Sequence, residues 1–423
     1  MAGLLAARVL SDRFERVTLI ERDVPPDGPD TRKGVPQGRH AHVLLARGEQ
    51  ILSSLFPGLT AELVAGGAFA GDMAASMRWF QFGGYKRQHH WGHNTFIQTR
   101  PYLEWHVRRR VVALPNVKLL GGCSVTGLSR DGARVTGVEV QRGGESESIA
   151  GELTVDCGGR GSAAPRWLQE MAFDAPPESA IEVNVGYASR YYRRVPGQLR
   201  GAEFVVIHPK PPGERRSATL FPIEGDRWIC TLAGWLGDHP PTDSAGFLEF
   251  ARNLPAPDVH QVISQAEPLS DPVPHRFPAN LRRHYERLAR FPEGYLVMGD
   301  AVCSFNPVYG QGMTSAALQA DLLARHLAGA DHGDLARRHF REVARAVDVI
   351  WKLAAGEDFR YPEVRGPKMA GTDLGNRYVS MIHRAVMRDE RVYDAFLSVL
   401  NLLEPPEILF RPSTVVRVLR AAL

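Results

Sequence analysis

The chain has 423 residues, 44% of them hydrophobic and 23% charged, the composition of a globular protein and neither a disordered nor a fibrous one. At this length a single hydrophobic core usually stops growing, so two closely associated domains are expected. The net charge of +4 is spread over interspersed acids and bases, and basic runs such as Arg108-Arg109-Arg110 carry no aromatic-interleaved module, which argues against a nucleic-acid partner.

In chain order, Gly3 to Leu10 predicts a helix rich in small residues, and Arg16 to Glu21 a strand ending in an acid. A dinucleotide-binding βαβ unit runs strand, G-x-G-x-x-G turn, helix, then a second strand tipped by an acid for the ribose hydroxyls. Gly3 stands as the last glycine of that fingerprint and Glu21, followed by Arg22, as the ribose acid, with the first strand apparently missing. About a dozen residues, enough for a strand and turn, are therefore expected ahead of Met1. A chain starting at Met1 is expected to retain a dinucleotide weakly or not at all.

A polar loop then runs to Gly38, and His42 to Leu52 has apolar residues at helical spacing. Met77 to Phe82 predicts a strand, and Pro101 opens a helix running to Val112. Strands follow at Val117–Leu120 and Val135–Val140, divided by the turn Asp131-Gly132, and at Ser148–Asp156. From 178 to 278 the pattern becomes β-rich, with strands over Ile181–Tyr192, Glu203–Ile207, Ser217–Phe221 and Trp228–Leu236, as for an antiparallel sheet inserted into an α/β frame. Strand Gly294–Met298 returns to the first domain, helices follow at Gly312–Ala328 and Leu335–Leu353, and the remainder is helical. The expected division is 1–177 and 279–353 for a Rossmann-like domain, 178–278 for the sheet and 354–423 for a helical tail.

Four scattered cysteines without a CxxC pair fit reduced thiols better than disulfides or a metal site. His40 and His42 lack a third ligand at suitable spacing, so no metal is expected. No stretch nears the roughly 18 apolar residues of a spanning helix and no signal segment follows Met1, so a cytoplasmic protein is expected.

Two glycine-acid signatures carry the functional reading. Asp156-Cys157-Gly158-Gly159-Arg160-Gly161-Ser162 places an acid at a strand end before a flexible backbone, and Gly299-Asp300-Ala301 precedes Pro307 and Gly310-Gln311-Gly312-Met313 at a helix start. Such an acid suits a sugar hydroxyl, and the helix N-terminus suits a phosphate or a charge developing on a flavin ring. The second signature resembles the GD motif of the flavin monooxygenases related to para-hydroxybenzoate hydroxylase, and the first resembles that family's DG motif. Arg32 to Leu45 and Asp300 to Met313 look more finely like the flavin-dependent epoxidases of polyether polyketide pathways, and Cys303 departs from the histidine usual in the hydroxylases.

That resemblance implies FAD held by Gly3, Glu21, Arg22, Arg39, Arg100, Asp156, Gly158, Gly299, Asp300, Pro307, Gly310, Gly312 and Met313. A fixed guanidinium fork at Arg39 and Arg100 suits the pyrophosphate or the adenylate side. It also implies NAD(P)H or a reduced-flavin supply as electron donor, with a flavin reductase or a homodimer as possible partners. The reaction implied is transfer of one oxygen from a flavin C4a-hydroperoxide to a small apolar polyketide or isoprenoid, with O2 as co-substrate. No protein acid, base or nucleophile is named. Trp79, Phe80, Phe82, Tyr191 and Tyr192 are candidates for the pocket wall. A halogenase would carry Trp-x-Trp-x-Ile-Pro, absent here; an alkene reductase resembling geranylgeranyl reductase, or a non-catalytic ligand-binding remnant, are the rival readings.

Overall fold

The computed structural model describes residues 1–329 and 334–422. It opens with helix α1 (Ala2–Ser11), whose Leu4, Leu5, Ala6, Ala7, Val9 and Leu10 are all buried, because it lies between the sheet elements and a long later helix. Strand β1 (Val17–Glu21) pairs in parallel with a strand a hundred residues downstream. Helices α2 (Ala46–Leu55) and α3 (Leu59–Ala65), strand β2 (Phe69–Asp72), short helix α4 (Met73–Ser76), strands β3 (Met77–Gln81), β4 (Gly84–Tyr85) and β5 (Asn94–Ile97), and helix α5 (Arg100–Val112) follow. The helix expected from His42 begins only at Ala46. Tertiary bonds take the preceding backbone, the Leu45 amide donating to Thr314 Oγ1 at 3.1 Å and the Ala46 amide to Asn401 Oδ1 at 3.0 Å. The helix opened by Pro101 forms as predicted, capped by Thr99.

Strand β6 (Val117–Gly121) is β1's partner, and β7 (Cys123–Asp131), β8 (Arg134–Arg142) and β9 (Glu145–Ala150) make an antiparallel meander. Sequence reading missed β7 and ran β9 into β10 (Thr154–Asp156). The chain breaks between them at Gly151, and β10 instead pairs in parallel with β16 (Tyr295–Val297). The pairs β1–β6 and β10–β16 are separate two-stranded sheets whose facing residues line one cavity.

Helix α6 (Ala164–Glu170) leads to the sheet that dominates the molecule. It comprises β11 (Glu178–Arg193), β12 (Phe204–Ile207), β13 (Arg216–Ile223), β14 (Arg227–Gly234) and β15 (Val273–Arg283), with β17 (Cys303–Ser304) on one edge and β3–β4 on the other, in the order β17-β15-β11-β14-β13-β12-β3-β4. Every pairing is antiparallel except β12 with β3. The sheet thus recruits strands from outside the 178–278 segment.

Period-2 alternation gives this sheet two different faces. Ala188, Leu220 and Leu232 pack against α7 (Ser244–Arg252) and α8 (Asp258–Ile263), two helices unforeseen in the sequence. Across the other face the register runs Ser189–Thr231–Thr219–Val206–Trp79.

After β16 come α9 (Gly312–Leu327) and α10 (Leu335–Asp358), then α11 (Thr372–Ala385), α12 (Glu390–Leu400) and α13 (Pro412–Ala422). The tail docks on the sheet's β3 edge through a cluster in which Trp79 stacks on Phe396, centroids 5.9 Å apart. Among the described residues no helix is long and apolar enough to cross a membrane.

Gly294, just ahead of β16, has φ +71°, and a Cβ there would sit 2.4 Å from Val135 O and 3.0 Å from Glu152 O. Gly294→Ala is expected to destabilise by about 2–4 kcal/mol, the left-handed penalty plus two backbone clashes. Thermal unfolding checks this, and an unchanged melting temperature would contradict it.

Candidate functional site

A cavity of about 1980 Å³ runs from α1 and β1, past the loop 299–313, to the hydroxyl-bearing face of the large sheet. Glu21, ending β1, lines one end, its Oε2 2.8 Å from Arg32 Nη1. Arg32 also meets Asp23 at 3.1 Å and Glu104 at 2.9 Å, and Asp23 accepts the Gly34 amide at 2.7 Å. One guanidinium therefore gathers three carboxylates and fixes the loop after β1. One turn before Glu104 on α5, Arg100 places Nε 3.7 Å from its carboxylate, with no hydrogen-bond partner among the described residues. Burial works against ionisation of Glu104, but the Met1 amino group, Arg100 and Arg32 outweigh it and hold the carboxyl down at about 2.

Asp300 lies at the middle of the cavity, following Gly299, whose φ is +71°. Its carboxyl is pushed up by burial, an effect moderated by Arg100 and Arg160. A Cβ built on Gly312 would meet only Asp300 Oδ1, at 3.9 Å, so glycine keeps the start of α9 open beside the carboxylate. Gly310 takes φ +67° and ends the turn begun by Pro307. Pro307, Gly310, Gly312 and the buried Met313 all line the cavity, and the Gln311 Oε1 is buried without a partner among the described residues. The unbonded amides of a helix's first turn carry partial positive charge.

Asp156 and Gly158 also line the cavity, but the Asp156 carboxylate is engaged by its own turn. It accepts from the Gly158 amide at 2.7 Å, Ser162 Oγ at 2.6 Å and Tyr295 OH at 3.1 Å. Gly159, at φ +75°, is the residue there that needs glycine. Gly3 lines the cavity, and a Cβ on it would make only ordinary contacts, 3.6 Å from Cys157 and 3.7 Å from Leu19. Arg22 is exposed and lines the cavity beside Glu21.

Arg39 is not brought to the cavity. It ends a short helical turn, Pro36–Arg39, and is exposed, whereas Gln37, His40, Ala41 and His42 face inward. Arg32 and Glu104, which sequence reading did not single out, do line the cavity; the i,i+4 spacing of Arg100 and Glu104 was the available signal for the latter. Of the aromatic candidates, Trp79 lines the cavity, while Phe80 and Tyr192 belong to the opposite face of the sheet. Period 2 puts neighbours on opposite sides, so Trp79 and Phe80 could not share a wall.

A fully buried carboxylate, Asp358 at the end of α10, underpins the loop. It accepts from Asn280 Nδ2 at 2.7 Å, Tyr309 OH at 2.8 Å, Asn306 Nδ2 at 3.0 Å and Trp235 Nε1 at 3.3 Å. Burial raises its carboxyl to about 6, the four donors pulling the other way. No sequence signal marked it.

This architecture is shared with flavin-dependent enzymes. The chain superposes on the flavin-dependent brominase Bmp2 with a TM-score of 0.69 (14% identity; 99% of this chain, 95% of the other). It matches a flavoprotein/dehydrogenase from Cytophaga hutchinsonii at 0.70 (13%; 99% and 95%) and the p-nitrophenol 4-monooxygenase PnpA from Pseudomonas putida DLL-E4 at 0.66 (15%; 95% and 95%). The fold is thus the Rossmann-type α/β frame with inserted sheet found in flavin-dependent monooxygenases and halogenases. In sequence the chain is 36% identical over 377 residues to Protein Rv3254 of Mycobacterium tuberculosis, covering 85% of this chain and 79% of that protein, and it belongs to the same family. No protein-family model matches.

Proposed function

We propose that the cavity binds FAD and that the protein is a flavin-dependent monooxygenase acting on a small organic molecule with O2. The observation that carries this reading is the Asp300 carboxylate, which lines the cavity beside the open N-terminus of α9 and accepts no hydrogen bond from the other described residues. The residues present fit the cofactor. Glu21 would take the adenosine ribose, Arg100 the pyrophosphate, Asp300 the ribityl hydroxyls, and the first amides of α9 a negative charge on the ring. Arg22, Gly158 and Pro307 stand as further contacts; Arg39, exposed and outside the residues that line the cavity, is given no contact here.

Reduced FAD, when bound, supplies the activation of O2 and the transfer of one oxygen atom. The chain's own part is to orient and to exclude water. Asp358 holds the loop 306–309, and α11 and α12 cover the sheet face opposite it. Epoxidation or hydroxylation of a polyketide- or isoprenoid-like substrate, with electrons from NAD(P)H or from a flavin reductase, is the specific form the motif resemblance favours.

Asp300→Ala is expected to weaken FAD binding at least about tenfold, the worth of one lost charge-assisted hydrogen bond. Incubation with labelled O2, FAD, NAD(P)H and unsaturated or phenolic test compounds decides the reaction type. A monooxygenase places label in the product; a product reduced without label would instead establish an alkene reductase.

A further inference from the structure

The far end of the cavity, away from Glu21 and Asp300, is walled by rings yet carries buried polar atoms that nothing satisfies. Trp79, Gln81, Thr219 and His383 line it, and Trp79 Nε1, Gln81 Oε1, Thr219 Oγ1 and His383 Nδ1 have no hydrogen-bond partner among the described residues. Three of these side chains are more than nine-tenths buried: Trp79 at 6%, Gln81 at 7% and His383 at 3% exposure. Several orphaned groups converging on one cavity are not what a hydrocarbon substrate would leave, since each unpaired buried polar group costs about 1–3 kcal/mol.

The electrostatics give the missing partner a sign. Lys86 is buried behind this wall, its Nζ donating to the His383 carbonyl at 2.7 Å and lying 5.8 Å from the Trp79 ring centre. Arg360 lies on the same side, over the Phe82 ring that stacks on His383. Glu357 offsets part of this positive charge, its carboxylate paired to Arg360 at 2.9 Å. His208 and His383 are both driven toward the neutral form, first by burial and then by Lys86, so they offer ring nitrogens and no charge. Burial lowers Lys86 itself to about 7, and a nearby anion is what would keep it charged.

We propose that this end of the cavity binds a flat aromatic anion, its rings against Trp79, Phe221 and Phe396 and its charged oxygen at His383 in front of Lys86. This deepens the monooxygenase reading, on which the role of the ligand as substrate rests.

The test is a titration of the protein, with and without saturating FAD, followed by its tryptophan fluorescence. The probes are 2-naphthoate and its neutral isostere 2-naphthamide at pH 7. The naphthoate is expected to bind at least tenfold tighter than the amide. Lys86→Met is expected to abolish that preference, and Trp79→Phe, which keeps the ring and removes the N–H, to weaken naphthoate binding several-fold. Equal affinities in the unmodified protein, or a preference untouched by both substitutions in variants that still melt cooperatively, overturn the proposal. The flavin reading fails separately, if FAD does not bind while the naphthoate preference persists.

Discussion

Asp358→Ala is expected to lower stability by about 3–5 kcal/mol, which would make it among the most damaging single changes in the chain. Four donors converge on this carboxylate, from β15, the loop before α9 and the residue following β14. Removing it leaves them buried and unpaired at about 1–3 kcal/mol each, offset in part by relief of a desolvated charge that has no counter-ion. Asp358→Asn keeps an acceptor and is expected to be milder. A pH dependence follows from the same group. Its folded carboxyl titrates at about 6, above the ordinary value of 3.8. The folded state therefore binds the proton first, and this group's contribution to stability rises as pH falls from about 7 to about 4. Melting temperature against pH in the unmodified protein and in Asp358→Asn isolates the contribution, which the variant should lack; identical profiles would contradict it.

Arg32→Ala is expected to weaken FAD binding by at least about tenfold and to destabilise the loop after β1, because Glu21, Asp23 and Glu104 lose the one cation they share. Glu104 adds an acid-side signature. Its folded pKa is depressed to about 2 from 4.5, so it contributes stability above the unfolded value that is lost as pH falls from about 5 to 2. Without Arg32 that depression shrinks, and the variant should lose less stability over this window than the unmodified protein. Isothermal titration with FAD and acid-side melting curves check the two halves; FAD affinity equal to that of the unmodified protein would contradict the first.

Much of the frame was legible because its elements are strongly patterned. The small-residue helix before an acid-tipped strand, the Pro101 helix and the alternating strands from 178 to 236 all formed near their expected limits. What escaped depended on long-range partners. The start of α2 is displaced to Ala46 by Thr314 and Asn401, hundreds of residues away. Strand β3 joins the large sheet only through β12, a pairing no local pattern specifies.

The site shows the same division. Gly299, Asp300, Pro307 and Gly310 to Met313 were marked by their spacing and do share one cavity. Asp156 shares it too, though its carboxylate is consumed by its own turn. Arg39 was marked and Arg32 was not, because a basic loop residue gives no sign of which way it faces. Asp358, Lys86 and His383 have no motif at all; only folding brings a buried acid under the loop and a buried amine behind the ring wall.

The central claim is that the cavity is built for FAD, and its most direct test is a titration of FAD into the protein and into Asp300→Ala, followed by flavin fluorescence and by the absorbance bands near 370 and 450 nm expected of bound oxidised flavin. Against the weak retention expected from the sequence alone, the cavity lined by Glu21, Arg100 and Asp300 predicts saturable one-to-one binding in the unmodified protein, weakened at least about tenfold in the variant. Absence of saturable binding, or equal affinity in the two proteins, would contradict it.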